Sequence, residues 1–127
     1  MAARNSIRPN DLDGETFVGV SPIRAPTLWV AINDYIKRAG IAVKPDHQAE
    51  NIAMGISLIA STGGVGLLPL YAQNLLPKTV VSRPIQGAPP TVDLVIGYNE
   101  ANTSPLLKFL LSKLDELKFR VAKNDAR

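Results

Sequence analysis

The residues best placed to hold a small molecule lie between an apolar run, Phe17-Val18-Gly19-Val20, and a helix that opens at Pro26 or Thr27. A helix start carries unpaired backbone N–H groups and a partial positive charge, which together suit a carboxylate. Thr27 adds a hydroxyl there, and Arg24 can add a full positive charge. The same stretch also fits an ordinary strand-to-helix connection, and the residues alone leave both readings open.

Other chemistry is poorly supplied. With no cysteine and a single histidine, His47, zinc or iron coordination is not expected, nor is any cofactor. His47 stands beside Asp46 and near Glu50; its imidazole either meets an anion when protonated or simply faces solvent. Ser57 falls inside an apolar helical pattern expected to be buried, without a histidine base placed to activate it. The run Thr62-Gly63-Gly64-Val65-Gly66 follows a helix and precedes a strand, the reverse of phosphate-binding loops, and no Gly-Lys-Ser follows it. Asp11 and Asp13 share a turn with nothing to drive their pKa values apart. We therefore expect a binding protein and not an enzyme.

The elements that must position this loop are read from spacing. Leu28, Ile32, Tyr35, Ile36 and Ala39 recur at helical intervals, with Gly40 as the stop. Ile41 to His47 reads as a second strand, and Glu50 to Ser61 as a helix apolar nearly all round, hence buried on more than one side. Gly55 in its middle costs about 1 kcal/mol against alanine, so close packing is expected to compensate. Val65 to Leu68 reads as a buried strand, Pro69 to Asn74 as a short helix, Val80 to Arg83 as a strand end and Thr91 to Tyr98 as an alternating strand. Thr103 or Ser104 is expected to cap a last helix with a Leu107, Leu110, Leu114, Leu117, Val121 stripe. Strands separated by helices imply an α/β fold with a parallel-rich sheet flanked by helices.

At 127 residues and 46% hydrophobic content the chain suits one globular domain. The net charge of +3 is modest, and the C-terminal Lys and Arg residues alternate with Asp115, Glu116 and Asp125, as on a solvated helix face and not a nucleic-acid surface. No apolar run approaches the ~20 residues of a membrane span, and Met1 to Ser6 lacks a signal peptide's apolar core. A cytoplasmic location without membrane contact is expected.

Three stretches in combination carry a resemblance. Asp11-Leu12-Asp13-Gly14-Glu15-Thr16-Phe17, Asp34-Tyr35 through Ala39-Gly40-Ile41, and Leu58-Ile59-Ala60-Ser61-Thr62-Gly63-Gly64-Val65-Gly66-Leu67-Leu68-Pro69 are similar in order and spacing to the effector-binding domain of LysR-type transcriptional regulators. The closing strand and Ser-Pro helix start match too, and the resemblance covers residues 11 to about 120. It implies a lobe like those of type 2 periplasmic binding proteins, with residues 1–95 as the second of two lobes and 96–127 as the hinge and a returning helix of the first. It further implies an effector site at the loop after the first strand: Ser21, Pro22, Arg24, Pro26, Thr27 and Leu28. Pro26 and Leu28 resemble the proline and large apolar residue of relatives that sense aromatic acids, with leucine where those carry an aromatic. Tyr98, in the hinge Gly97-Tyr98-Asn99, either lines the cleft or packs. The first lobe's opening elements and the DNA-binding domain are not found in this chain, so DNA contact is expected only through a domain it does not contain. The unfilled stripe of the last helix implies a homo-oligomer, a dimer above all, or a fold-back onto its own lobe. A solute-binding fragment of the same fold, or a remnant that binds nothing, are the alternatives.

Overall fold

The computed structural model describes residues 3–93, 95–116 and 118. The chain divides into two compact units, Met1–Val92 and Asp93–Arg127.

In the first unit, β1 (Val18–Val20) is the central strand. It pairs in parallel with β2 (His47–Ala49), Val18 opposite His47 and Val20 opposite Ala49. On its other side a parallel pairing joins Phe17 to Val65, with Val65 N–H donating to Thr16 O and Val18 N–H to Val65 O at 2.9 and 2.8 Å. Successive residues of a strand point to opposite faces, and the core follows that rule. Phe17 goes to one face, with Ile32 and Ile36 of α1 (Pro26–Ala39). Val18 goes to the other, with Ala49 and Ile59 of α2 (Ile52–Thr62). Leu67 and Leu68 divide between the same two clusters. Helices cover both faces of a short parallel sheet, the arrangement that crossover connections impose.

The helix ends explain the boundaries. Pro26 occupies the first turn of α1, where its missing N–H costs nothing. Gly40 and Gly63 end α1 and α2 in the left-handed region, with φ of 67° and 66°. Asn51 caps α2 by accepting from Met54 N–H at 2.8 Å.

Several expectations are corrected. The second strand begins only at His47, because Pro45 has no N–H to give a ladder; Ile41 and Val43 instead pack against the Phe17 cluster. The Val65 segment pairs at one position, the Val80–Arg83 segment forms no strand, and Ile85 pairs with Ile7. Residues 91–93 and 95–98 form no strand either; Leu94 lies outside the described residues. Near the start of the described residues, Ile7 and Leu12 are buried and Pro9–Leu12 forms a 3-10 turn. The short helix after Pro69 is a 3-10 segment, Leu70–Leu75. α2 buries chiefly one face, Gly55, Ile56 and Ile59, while Met54 and Ser57 are exposed. A Cβ on Gly55 would sit 3.5 Å from the Ala49 Cβ, an ordinary contact, so packing does not require glycine there.

The second unit holds α3 (Pro105–Ser112). Ser104 stands at its cap position without a side-chain hydrogen bond to the helix. Leu107, Leu111 and Leu114 are half-buried, whereas Leu106, Phe109 and Leu110 are 80%, 64% and 48% exposed. These last three form one face, so the exposed apolar surface of α3 is not the stripe that the spacing of Leu107, Leu110 and Leu114 suggested. Leu117 and Val121 lie outside the described residues.

Candidate functional site

Ser21 follows the last residue of β1, and its N–H continues the ladder by donating to Ala49 O at 2.9 Å. The chain then turns tightly: Ala25 N–H donates to Ser21 O at 2.9 Å and Arg24 N–H to Ser21 Oγ at 3.3 Å. Pro22, Arg24, Pro26 and Thr27 are exposed; Ser21 and Leu28 are half-buried.

The first helical turn is left open. Ala25, at the cap position of α1, has no side-chain acceptor to offer, and Trp29 N–H is the first to bond back, to Ala25 O at 2.9 Å. Pro26 has no donor, so the free amides are those of Thr27 and Leu28, which find no acceptor among the described residues. The Arg24 guanidinium has no partner among them either. Arg24, Thr27 and the two free amides therefore lie on one short segment that leaves the carboxyl end of the central strand. The spatial order is β2, β1, then the Val65 segment, while the chain order is β1, β2, then that segment. In open α/β sheets ligands bind outside the carboxyl ends of strands where such an order reverses.

The expected set is only partly brought together. Ser21 to Leu28 form one loop, but the Leu28 side chain packs against the Phe17, Ile32 and Ile36 cluster, so its amide faces the open turn while its apolar body serves the core. Tyr98 belongs to the second unit and is 56% exposed. His47 is exposed at the start of β2, at the opposite end of the ladder from Ser21. The Thr62–Gly64 turn is self-satisfied: Thr62 Oγ1 accepts from Gly64 N–H at 3.2 Å and donates to Leu58 O at 2.7 Å. Two open concavities of the first unit lie elsewhere. One, of about 350 Å³, is bordered by Asp13, Glu15, Lys44 and Asp46; the other, of about 640 Å³, by Asp34, Lys37, Arg38 and the Ala88–Thr91 segment.

Asp11 is not the idle turn acid that sequence suggested. The Arg8 guanidinium and backbone N–H, then Arg4, hold its carboxyl far below the usual carboxylate range. The Arg8-x-x-Asp11 spacing is a signal for this, since it places an acceptor on the backbone amide of the cap residue before the 3-10 turn; nothing local points to Arg4. Tyr35 is buried with its hydroxyl unpartnered among the described residues, and burial pushes its phenol pKa up. No group of metal-ligating side chains occurs among the described residues, and none of their helices is long and apolar enough to cross a membrane.

The sequence profile of the LysR substrate binding domain matches residues 1–117, and the chain belongs to that family. Its fold is accordingly the periplasmic-binding-protein-like α/β fold, with which the helix-covered parallel strands agree. Two regulators are similar in sequence. The Hca operon transcriptional activator HcaR of Escherichia coli K12 is 26% identical over 116 residues, 91% of this chain and 39% of that protein. The HTH-type transcriptional regulator AlsR of Bacillus subtilis 168 is 25% identical over 126 residues, 99% of this chain and 42% of that protein. The chain thus spans about two-fifths of the length of these relatives. No solved structure matches it.

Proposed function

We propose that this chain is the small-molecule-sensing part of a LysR-type transcriptional regulator, working in the cytoplasm without catalysis, and that it binds a small carboxylate, aromatic acids included. Residues 1–95 act as the second lobe and 96–127 as the hinge and returning helix of the first; contact with DNA belongs to another domain of such a regulator. The observation that carries the ligand class is the open first turn of α1, with the Thr27 and Leu28 amides free and Arg24 unpaired beside them. A carboxylate fits those donors in charge and number.

The test is an NMR titration of the full chain with benzoate and, separately, acetate. Shifts centred on the Thr27 and Leu28 amides are expected, with affinity about tenfold weaker in Arg24→Ala, the scale of one charged hydrogen bond. Millimolar acid that leaves both amides unmoved would remove the carboxylate reading. It would favour the remnant that binds nothing alone, to which one observation already points: neither concavity described above includes any residue of this loop.

The homo-oligomer reading rests on α3. Leu106, Phe109 and Leu110 present an apolar face that water disfavours, and a second copy offers the same face to cover it. Light scattering of the chain is expected to give a dimer, and Phe109→Asp a monomer. A wild-type chain that stays monomeric at hundreds of micromolar would sink this part.

A further inference from the structure

The first and last segments of the first unit run side by side. Ile7 N–H donates to Pro84 O at 3.0 Å, and Gln86 N–H donates to Ile7 O at 2.8 Å. Side chains extend the join: the Gln86 amide donates to Ser6 Oγ at 2.8 Å, and Arg83 Nε to Arg4 O at 2.5 Å. A two-bond pairing with exposed flanks ordinarily frays. Here it has a local anchor. The Asp11 carboxylate, its side chain only 12% exposed, accepts from the Arg4 guanidinium at 2.7 Å, the Arg8 guanidinium at 3.0 Å and the Arg8 backbone N–H at 3.0 Å. Ile7, between those two arginines, is buried, as is Leu12.

We infer that Asp11 is the positioning residue of a clasp that seats residues 4–8 along residues 83–86. Each arginine pair alone is a surface contact of little worth. Joined on one carboxylate, with a backbone amide as the third donor, they fix both ends of the segment that contains Ile7. The Arg4 and Ile7 carbonyls then stand as fixed acceptors for Arg83 and Gln86. The clasp therefore closes the first unit on itself a few residues before that unit ends at Val92.

Amide hydrogen exchange by NMR, on the full chain, tests it. Asp11→Asn is expected to speed exchange at Ile7 and Gln86 about tenfold or more, while Val18 and Val65 stay within about twofold. Unchanged exchange at Ile7 and Gln86 would overturn the clasp. So would a uniform rise at all four amides, because Asp11 would then serve only general stability. If Asp11→Asn fails to fold, Arg4→Gln removes one donor and is expected to raise exchange at the same two amides by a smaller factor; no change there overturns the proposal equally.

Discussion

Phe17→Ala is expected to cost about 3–5 kcal/mol, enough to unfold much of the population of a domain this small. Phe17 is 1% exposed, the one large side chain fully buried among the described residues, and it joins α1 to the sheet through Ile32 and Ile36. Its backbone is equally committed. The Phe17 N–H donates to the Asp46 carboxylate at 2.8 Å, its carbonyl accepts from Asp46 N–H at 2.9 Å, and the residue pairs with Val65. Truncation leaves the backbone bonds in place but removes the side chain around which one core cluster is built. Urea unfolding followed by circular dichroism measures the loss. A change below about 1 kcal/mol would mean that the cluster closes around the gap, and that the core is not organised on this residue.

Gly64→Val is expected to be nearly as damaging, by a different route, at about 3 kcal/mol. A Cβ at position 64 would stand 2.5 Å from Thr16 O and 2.9 Å from Thr62 Oγ1. Thr16 O is the acceptor for Val65 N–H, so the clash falls on the pairing that joins the Val65 segment to the central strand. Backbone cannot swing aside as a side-chain tip can, and valine adds branching at the crowded atom. Gly55→Ala is the matched control: its Cβ meets Ala49 at contact distance, and the gain in helix propensity is expected to stabilise by up to about 1 kcal/mol. Equal destabilisation by both substitutions would show that the close approach at Gly64 is not what matters.

How far these features were legible depends on whether their causes are local. Pro26 and Gly40 bracket α1 because proline at a first turn and glycine at a left-handed stop are signals carried by single residues. The apolar periodicity starts α2 at Glu50, two residues early, because it carries no mark of the Asn51 cap that sets the true start. The strand expected over 41–47 shrank to 47–49 because an apolar run marks burial without proving a ladder, and Pro45 interrupts it. Thr91 to Tyr98 alternates well, yet a strand also needs a neighbour, which periodicity never supplies. The candidate loop from Ser21 to Leu28 is legible as a strand, a turn and a helix start. That Leu28 turns into the core while its amide stays free is not. The Arg83–Arg4 bond spans 79 residues of sequence, and no spacing rule reaches that far.

If the open first turn of α1 receives the proposed carboxylate, the alanine at its cap sets stability against recognition. An asparagine there, such as α2 has at position 51, is worth about 1 kcal/mol to a helix. The same side chain would occupy the amides offered to a carboxylate. Under the proposed function, position 25 is where a sequence optimised only for robustness would diverge from one that keeps those amides open, and Ala25→Asn would trade the second property for the first.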